Sequence, residues 1–264
     1  MAMKDSEFLK KWKKAELNRP PYIFPKDKEI IKKLEKKGKI ITYYTVKDYI
    51  NSKEFANRKD TTLHIGLKPL PFAGYLRKAS IYILTANPGL SPVDYYIEES
   101  DQKYVRDIEN NIKQFNDKSK YPMFLLNPKY SWYAGFEYWE EKLRDIIDLL
   151  MINKKMQYKE ALRFVSKKIA TVELLPYHSR NFGLSENELS KFESVKLVRE
   201  FAQKELVKLA NNGEAIIIVI RKANHWDIKE NKNIIVYDKN EARGASLSSE
   251  SRGGKAILEK LNIS

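Results

Sequence analysis

The sequence predicts an α/β fold: a three-layer α/β/α arrangement around a central, mostly parallel four-stranded sheet, preceded by a basic helical extension. Three observations predict it. From about residue 61 onward, short β-rich apolar runs alternate with longer helical patterns, as in a parallel sheet whose strands are joined by helices. Apolar residues make up 42% of the 264, enough for a sizeable core and far above the composition of a disordered chain. Charge is uneven as well: residues 1–60 hold 17 basic and 9 acidic side chains, so +8 of the net +14 sits in under a quarter of the chain. We therefore divide the sequence into an extension over 1–60 and an α/β domain over 61–264.

Taken in order, Phe8, Leu9 and Trp12 mark a short helix, and Pro20, Pro21 and Pro25 stop it. A Lys-heavy helix carrying Ile30, Ile31 and Leu34 follows. The extension reads either as a packing arm over one edge of the domain or as an arm for nucleic acid. Strands are predicted over 63–67 and 81–86, separated by the Pro-rich stretch 68–72. A polar helix over 102–115 leads to an aromatic stretch over 121–139, and Trp139, Leu143, Ile146, Ile147 and Leu150 then recur at helical spacing. That spacing assigns Trp132, Tyr133, Phe136, Tyr138 and Trp139 to the core. A helix over 161–166, a strand over 170–175 and a helix with Val195, Val198, Ala202, Leu206 and Leu209 on one stripe come next. Strands over 215–220 and 234–237 and a helix over 253–261 complete the chain.

Composition removes several chemistries. There are no cysteines and only three histidines, which excludes disulfides, thiolate zinc sites, iron–sulfur clusters and cysteine nucleophiles. No cofactor and no metal are expected. No apolar run reaches membrane-spanning length, and no apolar signal core follows the Lys-rich start, so a soluble cytoplasmic protein is expected, without a membrane partner. The 49 basic against 35 acidic residues favour a polyanionic partner, nucleic acid first. Lys outnumbers Arg by 38 to 11, and solvated surface is the competing account of that excess. The sequence does not reveal the oligomeric state.

In an open parallel sheet, ligands bind outside the carboxyl ends of the strands. The residues just after each predicted strand are therefore the informative ones. They are Thr85-Ala86-Asn87-Pro88-Gly89, Pro176-Tyr177-His178-Ser179-Arg180, Arg221-Lys222-Ala223-Asn224-His225-Trp226 and Arg243-Gly244-Ala245-Ser246-Leu247-Ser248. Two of the three histidines and several arginines gather there.

Over residues 61–264 the chain resembles the uracil-DNA glycosylase superfamily. Ile81-Tyr82-Ile83-Leu84 followed by Asn87-Pro88-Gly89 is similar to the first motif of the mismatch-directed and single-strand-selective branches. The segment from Arg243 through Ser246, Ser248, Arg252, Gly253 and Gly254 resembles the second motif, a Ser-rich loop running into an Arg-Gly turn and the last helix. The resemblance implies a DNA glycosylase that extrudes a nucleotide, or acts on single strands, and hydrolyses its N-glycosidic bond. It further implies that Asn87 orients the water through its amide oxygen. Gly89 and the Gly253-Gly254 pair would allow close backbone approach to phosphate, and Ser246, Ser248 and Ser249 would grip the phosphates beside the extruded nucleotide. Pro88, Arg180, Arg243 and Arg252 would contact the substrate or DNA. Tyr95 and Tyr96, which follow the first motif, are the candidates to close on the base, with Tyr177 as a substrate-binding candidate. Phe182 and Trp226 are further stacking platforms, and Arg221, Lys222 and His225 are candidates to line a nucleic-acid groove. Where the family's second motif carries His, Asn or Met followed by Pro and Ser, this chain has Gly244-Ala245-Ser246, so His178 is the candidate donor to the departing base. Repair and defence against foreign DNA are both compatible roles.

Each assignment has a plainer counterpart: an Asx turn for Asn87, a locally bonded rim residue for His178, helix capping for the serines, and core packing for the tyrosines. The alternative function is a nucleic-acid- or nucleotide-binding protein on the same fold that does not cut the bond. The acids Asp94, Glu98, Glu99 and Asp101 are read as a solvated loop rather than a metal site. No phosphate loop, nucleophile elbow or dinucleotide fingerprint is present.

Overall fold

A computed structural model describes residues 6–263 as a mixed α/β protein with two sheets. The strands are β1 (Ile40–Ile41), β2 (Leu63–His64), β3 (Phe72–Ala73), β4 (Ile81–Thr85), β5 (Ile169–Glu173), β6 (Ile216–Val219) and β7 (Ile234–Val236). The main sheet has five strands in the order β3-β5-β4-β6-β7. β4 lies parallel to both β5 and β6, and β7 lies parallel to β6, while β3 runs antiparallel along the outer edge of β5. The expected count of four is thus corrected to five. After the Pro-rich stretch the chain turns back, and Phe72 and Ala73 pair with Val172 and Thr171. The strand expected over 63–67 shrinks to β2, which pairs with β1 in a separate small sheet.

The inner strands read Ile-Tyr-Ile-Leu-Thr and Ile-Ile-Ile-Val and are buried along their whole length, the signature of a sheet covered on both faces. The long helix Ala134–Asn153 packs on the helices Tyr158–Lys168 and Arg252–Lys260, and the last of these also packs on β6. The helix Glu7–Lys13 packs on the helices Gln102–Lys113 and Glu193–Phe201. The stripe through Val195 and Leu206 is helical as predicted, with one π-helical turn over Ala202–Leu206 before the helix resumes at Val207.

The first 60 residues share their core with the rest. Phe8 stacks on Phe201 at 4.8 Å and meets Phe72 at 5.7 Å, and Trp12 packs against Phe24. Asp27 is buried and accepts bonds from Ser194 Oγ at 2.6 Å, Ser194 N–H at 3.1 Å and Tyr177 O–H at 2.8 Å. Burial raises its carboxyl pKa, and the donors from Ser194 and Tyr177 oppose that rise. Among the described residues no helix is long and apolar enough to cross a membrane.

Candidate active site

The four parallel strands stand in the order second, first, third, fourth along the chain. The connection leaving β4 goes to one side, to β5, and the connection leaving β5 returns to the other side of β4, to β6. Loops that diverge at such a reversal leave a crevice outside the carboxyl ends of the strands. A cavity of about 990 Å³ lies there, at the upper end of the range for small-molecule sites. Its walls come from Thr85–Ser91 after β4, Ser179–Phe182 after β5, Arg221–His225 after β6 and Tyr237–Arg243 after β7, with the start of the helix Ala134–Asn153 closing one side.

Asn87 occupies this crevice, half-buried, with its carboxamide fixed. Nδ2 donates toward Pro88 O at 2.9 Å, Tyr177 O at 3.1 Å and Ser179 Oγ at 2.8 Å. Two of these acceptors are backbone carbonyls, so only the nitrogen end fits there and the orientation of the amide is determined. Oδ1 accepts no hydrogen bond among the described residues, and Asn87 lines the cavity. Pro88 and Gly89 line the same wall. A Cβ on Gly89 would meet nothing within 4 Å, so the space in front of it is open to a ligand.

His178 is buried with Nδ1 2.8 Å from Gly89 O and Nε2 3.2 Å from Lys68 O. Both ring nitrogens face backbone carbonyls, so the imidazole ties the loop after β4 to the Pro-rich stretch and has no free N–H for a departing base. Tyr177 and Tyr95 are also turned away. Tyr177 is fully buried, donates to Asp27 and accepts from Phe24 N–H at 3.1 Å. The Tyr95 hydroxyl lies 2.9 Å from His64 Nδ1, in a small cluster with Tyr49 and Leu67. Trp226 is core, and Tyr96 is exposed against Trp132. Phe182 does line the cavity, with the Lys222 ammonium 4.2 Å above its ring. Lys222 adopts a left-handed backbone at φ 55°, and burial lowers the pKa of its ammonium.

The tail segment divides. Arg243 is exposed and lines the cavity. Ser246 and Ser248 bond to each other at 3.0 Å outside it. Arg252 is committed: Nε and Nη2 donate to Glu241 at 2.8 Å, Nη1 donates to Glu230 at 2.9 Å, and Nη2 also reaches Val236 O. Gly253 and Gly254 serve packing. A Cβ on Gly253 would lie 2.5 Å from Tyr237 Oη, and one on Gly254 would lie 1.7 Å from Ser248 O. Ser251 Oγ caps this helix by accepting from Gly254 N–H at 3.0 Å. Arg252 and Gly253, expected at phosphates, are thus engaged in closing the last helix onto the sheet, while Ser246 is exposed and Ser248 half-buried outside the cavity. Arg180 stays on the rim, donating to Tyr49 Oη at 3.2 Å.

The structure adds residues that the sequence reading passed over. Tyr133, Phe136 and Trp139 are buried in the core as expected, and Tyr133 and Trp139 also line the cavity, whereas Trp132 and Tyr138, expected in the core as well, are exposed, with Tyr138 on the cavity wall. Glu173, the last residue of β5, is buried on the cavity floor and makes no side-chain hydrogen bond among the described residues. Burial alone pushes its carboxyl well above the ordinary range. An acid ending an otherwise apolar strand was the available signal, since such residues are rarely buried without a partner. Asp94 also lines the cavity, where Tyr133 O–H and Ser91 N–H donate to it. Burial raises its pKa, opposed by His178. Arg180, Arg221, Lys222, Lys239 and Arg243 ring the opening against Asp238. Among the described residues no group of three or more His, Asp or Glu side chains is placed to hold a metal ion. The chain matches no protein-family model, no curated protein and no solved structure in the comparisons made.

Proposed function

We propose that this chain is a cytoplasmic DNA glycosylase-like hydrolase, a divergent relative of the uracil-DNA glycosylases on a three-layer α/β/α scaffold. In this reading it cleaves the N-glycosidic bond of a damaged, mismatched or modified base. The observation that carries the reading is the fixed amide of Asn87. Its nitrogen is held by two carbonyls and a hydroxyl, its oxygen has no partner among the described residues, and the residue lines the crevice. An amide oxygen so fixed accepts from a water and aims that water's lone pair at the sugar carbon without reorganising during the reaction. Asn is not a general base, so the attack relies on the oxocarbenium character of the sugar and the rate stays below that of a carboxylate site.

The rest of the cavity suits the same chemistry. Of the aromatic residues that line it, Tyr138 and Phe182 are the more exposed and are the candidates to stack on an extruded base, with the buried Tyr133 and Trp139 beside them. The five Lys and Arg residues around the opening attract the phosphates on either side. No metal or cofactor enters this reading, and DNA, single or double stranded, is the partner. The test is alkali-revealed cleavage of labelled oligonucleotides carrying uracil, G·T, hypoxanthine or hydroxymethylated cytosine. Abasic product that disappears in Asn87→Ala, with binding retained, is the expected result. Product formed equally well by Asn87→Ala removes the role of the amide.

A second reading, nucleic-acid or nucleotide binding without cleavage, has one observation in its favour. Of the second-motif residues only Arg243 reaches the cavity, while Arg252 and the Gly253-Gly254 pair are spent on internal packing. Salt-sensitive retention of every oligonucleotide with no abasic product would select it.

A further inference from the structure

On the cavity wall Asp94 and Asp238 each accept from neighbouring groups, whereas Glu173 is the one acid among the described residues there whose carboxyl makes no hydrogen bond. Its Oε2 is sealed from solvent and has no partner, and no Lys or Arg reaches its carboxyl among the described residues. Glu173 sits opposite Thr85 in the β4–β5 register, so the two side chains share a face of the sheet. Asn87 follows Thr85 by two positions at the same rim, and all three line the same cavity. An unpartnered buried carboxyl is costly and persists where a ligand completes it.

We propose that Glu173 holds its proton as a neutral carboxylic acid and donates it to an acceptor on a nucleobase seated in the cavity, the keto oxygen of the base being the class of group it reads. The proposal rests on the glycosylase reading for its chemical step. As the C1′–N bond breaks, its electron pair moves onto the base, and the Glu173 proton moves to the base oxygen that gathers this charge. The water held by Asn87 bonds to C1′ and gives up one proton to solvent, from which Glu173 is reprotonated. The result is free base and an abasic sugar, with atoms and electrons balanced. This places the electrophile on the second parallel strand, whereas the sequence had suggested His178, whose two nitrogens are already engaged.

The ionisable groups around the cavity floor leave Glu173 able to keep its proton. Tyr133 and Tyr138 approach from the helix Ala134–Asn153, Asp94 from the helix Pro92–Ser100, His178 and Arg180 from the loop after β5, and Arg221 from the loop after β6. Arg221, the cation after β6, two strands away from β5, turns its guanidinium to the carbonyls of Ala242 and Arg243. Burial raises the Glu173 pKa with no opposing charge. Asp94 differs because Tyr133 and Ser91 already satisfy it.

The experiment is calorimetric titration of the full-length chain with free uracil, hypoxanthine, guanine and adenine, from mildly acidic to alkaline pH. Wild-type protein, Glu173→Gln and Glu173→Leu are compared, each shown to be folded by thermal melting. A donor at 173 predicts that a keto base binds wild type and weakens as pH rises through the raised carboxyl pKa. Glu173→Gln, which keeps an N–H donor, binds within about threefold of wild type and without that pH dependence. Glu173→Leu loses at least about tenfold, because the base acceptor is left unpaired. Affinity independent of pH and unchanged in Glu173→Leu, or no keto base bound by wild type, overturns the proposal. Failure of the glycosylase reading shows separately. Bases bound in a Glu173-dependent way, with no abasic product from any oligonucleotide, leave the contact standing and remove hydrolysis. Unimpaired hydrolysis by Glu173→Leu does the reverse.

Discussion

Replacing Gly254 with alanine tests whether the Gly-Gly pair packs the last helix or approaches a phosphate. The added Cβ would lie 1.7 Å from Ser248 O, 2.6 Å from Ser248 C and 2.8 Å from Leu247 O. All three are backbone atoms that no rotamer change can move. An ordinary contact is about twice the shortest of these distances, so the helix start must shift by about 1.7 Å relative to the Leu247-Ser248 loop. Overpacking of this kind costs about 1–3 kcal/mol. The same shift pulls Gly254 N–H away from Ser251 Oγ, and losing that cap adds about 1 kcal/mol. The sum, about 3 kcal/mol, lowers Tm by about 6–12 °C in a chain of this size. Thermal melting by circular dichroism measures it, with Gly244→Ala as the control, because a Cβ there meets nothing within 4 Å. A Gly254→Ala protein that melts within about 2 °C of wild type, yet retains oligonucleotides poorly, would refute the packing argument and restore the phosphate role.

Further outcomes follow from the same geometry. Tyr177→Phe leaves Phe24 N–H unpartnered and removes a donor from Asp27, costing about 2–3 kcal/mol in urea unfolding while oligonucleotide binding stays unchanged. Arg243→Ala should lower the slope of log affinity against log salt by about one phosphate contact, whereas Arg252→Ala, whose guanidinium is already paired, should leave it alone. Glu173 has a raised folded pKa, so the unfolded chain releases that proton first. Wild type should lose stability relative to Glu173→Gln as pH climbs above 4.5, by at most about 1.4 kcal/mol per pH unit, and equal pH dependence in the two proteins would contradict a buried neutral acid. His64 has the opposite sense. Burial lowers its pKa from 6.5 to about 4 against the pull of Asp60, so the unfolded chain binds the proton first and stability falls as pH drops from 6.5 toward 4, a limb that His64→Gln should flatten.

Much of the scaffold was legible because it rests on local patterns. Ile81 to Leu84 and Ile216 to Val219 are β-branched or aliphatic runs too short for helices, and the stripe from Trp139 to Leu150 repeats at helical spacing. The antiparallel edge strand was hidden because Phe72-Ala73 is only two residues long and depends on partners almost 100 positions away. At the site, Asn87 could be read because it follows a strong strand directly. Tyr177, Tyr95 and Arg252 were misassigned for a shared reason. Position after a strand or within a motif fixes where a backbone passes and leaves open which way the side chain turns. Asp27, His64 and Glu241 decide that here, and none of them adjoins its partner in the chain. Glu173 was passed over because its character comes from the lack of a partner, which no motif encodes.

The bonds between Asp27 and Ser194 have a bearing on how the chain is made. They join residues 167 positions apart, and Phe8 meets Phe201 across a still longer separation. At about 5–20 residues per second on the ribosome, the first helix waits roughly 10–40 s before the helix Glu193–Phe201 that completes its burial exists. Throughout that interval Phe8, Leu9 and Trp12 face water. Many of the lysines between Lys10 and Lys39 surround them, and mutual repulsion between nascent chains of like charge holds these apolar faces apart until docking. The charge of residues 1–60 thus bears on the folding chain as well as on the surface of the folded one.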